Sequence, residues 1–400
     1  MRLYLHDYAG HPFQVQLARA LAARGHTVRH GYSSTNVTPH GTLAQQEGDP
    51  EGFEPEPIAL DQPVDKTRNS LRGFWQRQRR ERAYGKRLVE HVAQFQPEVV
   101  LAANTPLDAL APLQAWCTER DVRFVNWLQD LISVATHRLL RKKIPGLGEL
   151  AGRYYLGVEQ RILRRSDAVV MITEDFRASL ERWGVAPERL YVVENWAPLE
   201  NIPVRPKRNP WSEAFDLADK RVLLYSGTLG MKHNPDLLLR LAERWRGDDS
   251  VRVVVITEGP GAEWLRAQKA KTGLETLLLL PYQPFEELPD VFGAADVLVA
   301  ILEPDAGVFS VPSKVLTYLC AGRALLLAVP PENLAARIVT RSASGVVVPP
   351  TAPTAFVHEA AKLLADEPRR LEAGIRARAY AETTFEIERI AERFEEILVG

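Results

Sequence analysis

Cysteine, metal-ligand clusters, long apolar runs and an excess of charge are all scarce in this 400-residue chain, and each scarcity excludes a class of protein. The two cysteines, Cys117 and Cys320, sit far apart in apolar surroundings, where free buried thiols are expected rather than a disulfide or a metal site. No Asp-x-Asp pair and no His/Cys cluster has the spacing of metal ligands, so no metal is expected. No apolar stretch approaches the roughly 20 residues of a membrane helix. The start, Met1–Asp7, is interrupted by His6 and Asp7 before it could serve as a signal segment. A protein of the reducing cytoplasm is expected, with at most a peripheral hold on the inner face of the cell membrane. Fifty Lys and Arg against 51 Asp and Glu leave a net charge of -1, so any polyanion site must be local rather than a product of bulk charge.

What is present is an alternation of short apolar runs with longer stretches of helical period, the pattern of parallel sheets covered by helices on both faces. The first half carries candidate strands at Leu3–His6, Val28–Tyr32, Val99–Ala103, Arg123–Trp127, Ala168–Ile172 and Leu190–Glu194. The pattern restarts at Val222–Ser226 and continues through Val251–Thr257, Thr276–Leu280, Val297–Ile301, Leu325–Val329 and Val346–Val348. The fold class is therefore α/β, with two doubly wound Rossmann-like domains, as the length also suggests. The stretch from Leu199 to Pro210, with three prolines and no period, reads as the linker. Domains are expected over 1–200 and 201–382, and 383–400 forms an amphipathic helix that needs a neighbouring surface.

In open parallel sheets ligands bind beyond the carboxyl ends of the strands, and three such turns carry candidate chemistry. In Tyr225-Ser-Gly-Thr-Leu-Gly-Met-Lys232, Gly227 and Gly230 admit a close backbone approach and Lys232 adds positive charge near a helix start, which suits a diphosphate. A plain strand–helix loop with a solvated lysine is the simpler alternative. Thr257-Glu-Gly-Pro-Gly261 repeats the arrangement at the next strand end, where a tight turn explains it equally well. The third turn, from Glu303 through Ser310-Val-Pro-Ser-Lys314 to Arg323, brings Ser310, Ser313 and Lys314 to a helix start, where free amides and a lysine bind an oxyanion. Ser313 serves equally as a helix cap.

The order of these turns, the run Ser-Val-Pro-Ser-Lys before an apolar helix ending in Ala-Gly-Arg, and the closing amphipathic helix resemble the GT-B glycosyltransferases of glycosyltransferase family four. Asp7-Tyr-Ala-Gly-His-Pro-Phe-Gln-Val-Gln-Leu extends the likeness into the first domain, as does Arg24-Gly-His26. The bacterial exopolysaccharide and O-antigen enzymes, fucosamine-type transferases included, are the most similar group. The resemblance implies two domains facing a cleft, with the last helix crossing back to the first. It implies transfer from a UDP- or GDP-sugar, UDP the favoured base, to a glycan or polyprenyl-diphosphate-linked acceptor, with retention and without a metal or further cofactor. It makes Lys232 a diphosphate ligand, places the nucleotide among Gly227, Thr228, Glu258, Gly261, Tyr282, Ser310, Ser313, Lys314 and Thr317, and sets Gly10 on the cleft. Many members carry a Glu, seven residues and a second Glu. Here those places hold Phe309 and Thr317, which leaves Thr317 for the ribose and Glu303 or Asp305 for the sugar. The usual phosphate-binding Arg is also absent, its place falling near Thr228.

In the first domain Asp130 ends a strand, where a carboxylate orients or deprotonates an acceptor hydroxyl, or merely caps a helix. His6, His11 and His233 are candidates to touch phosphates, with a hydrogen-bonded loop histidine the commoner reading of each, and Glu159 and Asp167 read as structural. The segment Lys66–Arg87 holds nine basic residues and one acidic, interleaved with Leu71, Phe74 and Trp75. Such a segment docks on anionic membrane surfaces or forms a solvated helix face. No nucleic-acid motif accompanies it. Two other activities share the architecture: a UDP-sugar 2-epimerase, and a sugar-nucleotide-binding protein without catalysis.

Overall fold

The computed structural model describes residues 1–35, 43–60, 71–143, 146–230, 233–306 and 311–400. Lys232, Ser310 and Phe309 lie outside the described residues, as does the start of the basic segment. The chain forms two compact units, Met1–Glu194 with Ile387–Gly400, and Asn195–Glu386.

The first unit is a seven-stranded, all-parallel sheet of β1 (Arg2–Asp7), β2 (Thr27–Ser33), β3 (Phe53–Ile58), β4 (Val99–Ala103), β5 (Arg123–Leu128), β6 (Ala168–Met171) and β7 (Leu190–Val192). Its order is β3-β2-β1-β4-β5-β6-β7. Helices α1 (Pro12–Ala23), α2 (Leu71–Phe95), α3 (Leu107–Glu119), α4 (Ile132–Lys143), α5 (Leu147–Arg165) and α6 (Arg177–Arg182) connect the strands. The second unit has six parallel strands, β8 (Arg221–Ser226), β9 (Val251–Ile256), β10 (Leu277–Leu280), β11 (Val297–Ile301), β12 (Ala324–Ala328) and β13 (Gly345–Val348), in the order β10-β9-β8-β11-β12-β13. Its helices are α7 (Pro210–Ala214), α8 (Asp236–Arg244), α9 (Pro260–Thr272), α10 (Leu288–Gly293), α11 (Lys314–Cys320), α12 (Leu334–Ser342), α13 (Pro353–Ala365) and α14 (Glu367–Thr384). The last helix, α15 (Ile387–Val399), belongs to the first unit.

Central strands such as β4, β11 and β12 are buried along their whole length, which is why they read as unbroken apolar runs. Strand β3 escaped the sequence reading because Phe53-Glu-Pro-Glu-Pro-Ile58 contains two prolines and two glutamates. It lies at the edge of the sheet, paired only with β2, the position where a missing N–H donor is tolerated.

The segment expected as a linker is held on the second unit. Arg378 donates to the Ile202 carbonyl at 3.0 Å, and Asn209 donates to the Pro206 and Asp290 carbonyls, each at 2.9 Å. Asn209 and Ser212 then close a capping box at the start of α7, which satisfies two helix-end donors reciprocally. Three prolines here encode a fitted strap rather than a flexible tether.

Helix α15 buries Ile390, Ala391, Phe394, Ile397 and Leu398, and it packs on α1. Phe394 meets Trp127 with ring centroids 4.6 Å apart, and Glu395 accepts from Arg24 at 2.6 Å and lies 2.9 Å from the His26 ring. Both cysteines are free and buried, and burial pushes each thiol up to about 12. Such thiols are inert at neutral pH.

Candidate functional site

In each unit the strand order reverses at one place, between β1 and β4 and between β8 and β11. Ligands of open α/β sheets bind beyond the strand ends at such a reversal.

In the second unit the chain leaves β8 through Gly227, whose φ of +125° favours glycine. Its N–H donates to the Ile256 carbonyl at 2.9 Å. Lys314, at the first turn of α11 after β11, reaches back over this turn: its Nζ lies 3.7 Å from the centroid of the Tyr225 ring. A Cβ at Gly227 would sit 2.9 Å from that Nζ and 3.2 Å from Cε. The backbone favours glycine here, and its bare Cα leaves the space that the lysine end occupies. The Nζ is enclosed and has no hydrogen-bond partner among the described residues, and burial pushes it down to about 7. A buried ammonium held only by an aromatic face has unused donor capacity, and an unsatisfied group of this kind calls for a ligand or another explanation.

The turn is braced from several sides. Tyr225 donates to the Thr228 carbonyl at 2.9 Å, and the Thr228 and Tyr282 hydroxyls are 2.8 Å apart. Leu229 N–H donates to the Thr257 hydroxyl at 3.2 Å. Gly261, in the first turn of α9, rests against Leu229, where a Cβ would fall 2.5 Å from the Leu229 Cβ. Gly230 N–H donates to His233 Nδ1 at 3.2 Å. Gly227, Thr228, Gly261, Tyr282 and Lys314 thus come together around one turn. Glu258 is exposed at the end of β9, Glu303 is half-buried just past β11, and Thr317 is half-buried one turn beyond Lys314 on α11. Ser313 is exposed and makes no cap hydrogen bond, so its reading as a helix cap is corrected: its backbone is already helical, whereas a capping side chain needs an extended one.

Tyr318 lies on α11, the helix expected to be apolar. Its buried hydroxyl accepts from Ser226 N–H at 2.9 Å and donates to the Ser226 carbonyl at 3.2 Å, which ties α11 to the end of β8. A tyrosine inside the otherwise apolar Val-Leu-Thr-Tyr-Leu-Cys run was the available signal, since a buried phenol needs partners. Replacing Tyr318 by Phe strands two main-chain groups, and we expect a loss of about 1–3 kcal/mol in urea unfolding of the full chain. An unchanged transition midpoint would contradict this account of the anchor.

In the first unit Asp7 ends β1 fully buried. It accepts from Ala9 N–H at 3.2 Å and from His11 N–H, and the His11 Nδ1 lies 3.1 Å from each carboxylate oxygen. Burial opposes the Asp7 charge, but the facing imidazole and these hydrogen bonds prevail, so its carboxyl sits below the usual range. Burial likewise opposes a charged His11, yet the Asp7 and Asp130 carboxylates prevail and raise it. Gly10, with φ of +71°, turns the loop between the two. Asn104, after β4, lies 3.3 Å from His11 Nδ1. A small cavity lined by Asn104, Asn126, Gln129, Asp130 and Glu159 opens at the same strand ends. Glu159 accepts from Ser133 N–H at 3.2 Å and from the Ser133 hydroxyl, which secures the first turn of α4. Burial pushes its carboxyl up to about 7. His6 is hydrogen-bonded as expected, but within β1 rather than on a loop: it lies 2.7 Å from the Thr105 hydroxyl and 2.9 Å from that of Tyr84.

Much of the basic segment's described part is committed to helix α2. Arg77 pairs with Glu81 at 2.6 Å and Arg82 with Asp108 at 3.0 Å, while Gln78 and Tyr84 are buried. Arg77, Arg79, Arg82 and Lys86 remain on the exposed side. Leu71, Phe74 and Trp75 belong to the part whose side chains are outside the described set. No helix among the described residues is long and apolar enough to cross a membrane.

Comparison with known proteins places the two units separately. The model of the glycosyl transferase 4-like domain matches residues 11–196, and that of glycosyl transferases group 1 matches residues 208–380. An Escherichia coli protein named for colanic acid biosynthesis as glycosyl transferase WcaI is 25% identical over 184 residues, 44% of each chain. The D-inositol 3-phosphate glycosyltransferase of Streptosporangium roseum is 31% identical over 154 residues, 35% of each chain. The matches thus span less than half the length of these curated relatives. Among solved structures, HepE of Anabaena in complex with UDP aligns with a TM-score of 0.70 at 16% identity, covering 100% of both chains. WaaG, a glycosyltransferase involved in lipopolysaccharide biosynthesis, aligns at 0.69 with 17% identity over 100% of both. The fold is that of these GT-B proteins, and with family models matching both units the chain belongs to the GT-B glycosyltransferases of the family-four type.

Proposed function

We propose that this protein transfers a sugar from a nucleoside diphosphate sugar, with UDP favoured over GDP, to a glycan or polyprenyl-diphosphate-linked acceptor in surface polysaccharide biosynthesis. The observation that carries the reading is the enclosed Lys314 ammonium above the Gly227 turn, with no hydrogen-bond partner among the described residues. A diphosphate at that turn supplies the missing acceptors, and the low-dielectric surroundings strengthen each contact. The UDP and UDP-glucose complexes of HepE support the choice of base, and the names of WcaI and WaaG support the acceptor class.

In this reading Lys314 and Lys232 stabilise the diphosphate as it departs. Gly227 and Gly261 let main chain approach it, Thr228 and Tyr282 flank it, and Ser310 and Ser313 add donors. Glu258 faces the base, Thr317 the ribose and Glu303 the sugar. The first unit binds the acceptor near Gly10 and Asp130. Two lysines supply the positive charge, so transfer proceeds without a divalent metal, and the sugar keeps its anomeric configuration. The exposed bases of α2 support peripheral docking on anionic lipid.

The test is product analysis with UDP-glucose, UDP-N-acetylglucosamine and GDP-mannose, using a polyprenyl-diphosphate-linked sugar in anionic or neutral vesicles, with and without EDTA. We expect free UDP and an extended glycan of retained configuration, undiminished by EDTA and faster on anionic vesicles. An isomerised donor without acceptor would establish an epimerase instead, and binding without turnover a non-catalytic protein.

A further inference from the structure

The face of one aromatic ring decides where the Lys314 ammonium sits. Tyr225, near the end of β8, is buried, and its ring centroid lies 3.7 Å from Lys314 Nζ, which has no hydrogen bond among the described residues. The phenol is fixed at both ends. Its hydroxyl donates to the Thr228 carbonyl at 2.9 Å, and its ring belongs to the apolar core of the second unit with Leu229, Val253 and Leu265. Burial pushes the hydroxyl well above its ordinary range, so the phenol stays neutral.

Helix α11 answers this contact with a reciprocal one. Lys314 and Tyr318 are four residues apart and share a face of the helix. The Tyr318 hydroxyl bonds both main-chain groups of Ser226. Strand β8 thus sends a ring to α11 while α11 sends a phenol to β8, which locks the helix start against the strand end before any ligand arrives.

Neighbouring charge does not explain the placement. Besides the Tyr225, Tyr282 and Tyr318 phenols, the titratable groups described at these strand ends are His233, Glu258, Glu303 and Asp305. None of them pairs with Lys314, and burial alone pushes its amine down. An enclosed ammonium without a counter-ion is driven toward water, and a negative ring face opposes that escape.

We propose that Tyr225 is a positioning residue for the donor: its ring face holds the Lys314 ammonium and aims it over the Gly227 turn, where the diphosphate docks. The inference rests on the glycosyltransferase reading. An ammonium already in place binds phosphates without first being ordered, and it meets the charge that develops on the departing diphosphate with no rearrangement. The ring acts on the proton as well. Its attraction exists only for the protonated amine, so it favours that form against the cost of burial.

The experiment weakens the ring face and keeps its shape. In the full-length protein, Tyr225→Phe is compared with residue 225 replaced by trifluorophenylalanine, whose fluorines withdraw electron density from the ring. Binding of UDP-glucose, UDP-N-acetylglucosamine and GDP-mannose is measured by calorimetry across pH 5–9, with thermal unfolding to verify that each protein is folded. In Tyr225→Phe the affinity should still break downward near pH 7, where burial places Lys314, because the ring remains. With the fluorinated ring the break moves down by roughly half to one pH unit, and affinity on its alkaline side falls about 3–10-fold while the acid side is unchanged. The sign follows from a weaker hold on the proton: the free protein releases it at lower pH, and the protonated form is the one that binds diphosphate tightly. A ring that merely fills space leaves the break where it is. A break unmoved by fluorination, or wild-type binding with no break, overturns the inference and leaves the donor reading intact. A wild-type protein that binds none of the three nucleotide sugars overturns both.

Discussion

Lys314→Met is expected to weaken UDP-glucose binding by roughly 100-fold while making the unliganded protein more stable. The two effects have one cause. The wild-type ammonium is enclosed against Tyr225, with no hydrogen-bond partner among the described residues, so the free protein carries the cost of a buried charge that only a ligand relieves. Methionine fills similar space without a charge, and since replacing even paired buried charges by apolar side chains of similar volume is often neutral or stabilising by about 1–4 kcal/mol, a gain within that range is expected here. For a unit of this size each kcal/mol raises Tm by about 2–4 °C. The bound state instead loses a charge-assisted hydrogen bond of about 1.5–3 kcal/mol, which corresponds to roughly 10–100-fold in Kd, with the dry site favouring the upper end. Calorimetry and thermal unfolding on the same preparation read both signs. A lower Tm with unchanged Kd would mean that the lysine is only a structural stem.

The same residue sets a pH dependence whose direction is fixed. Burial pushes Lys314 down to about 7 in the free protein, and a bound diphosphate restores the charged form. Binding above pH 7 therefore takes up a proton, and affinity for UDP-glucose should fall as pH rises from 7 to 9, approaching tenfold per pH unit. The diester phosphates of the donor do not titrate in this range, so the slope belongs to the protein. Folding has the opposite trend. The unfolded lysine holds its proton up to its ordinary 10.5 while the folded one releases it near 7, so the unfolded chain binds more protons between those values and this residue's contribution to stability rises with pH there. In Lys314→Met both dependences should disappear.

Gly227→Ala carries the second large effect. At φ of +125° an L side chain is strained, and its Cβ would meet Lys314 Nζ at 2.9 Å. The backbone strain is expected to cost about 1–3 kcal/mol in stability. The lysine end is flexible and moves away from Tyr225, so donor affinity falls toward that of Lys314→Met. Because both substitutions remove one arrangement, the double variant should bind donor about as weakly as Lys314→Met alone, a marked departure from additivity. Independent, additive losses would show that the glycine and the lysine serve separate ends.

The first unit was less legible than the second. Its buried strands announce themselves as apolar runs, but β3 hides behind two prolines that an edge position permits. The His11–Asp7 pair was within reach, since the two residues are four apart around a glycine. A lone loop histidine carries no signal until its carboxylate partner is seen to be fully buried. Within Lys66–Arg87 the pairing of Arg77 with Glu81 is legible from their spacing, whereas that of Arg82 with the distant Asp108 is not.

The sequence by itself determined the α/β class, nearly every strand, the family resemblance and the glycine-rich and Ser-Val-Pro-Ser-Lys turns, because these depend on local pattern and spacing. Tertiary structure alone decided that Lys314 lies over Gly227, that Tyr318 anchors Ser226, and that the proline-rich segment is a strap. Each of these joins residues far apart in the chain, and a parallel sheet with its covering helices brings such residues together through crossovers whose order no local pattern records.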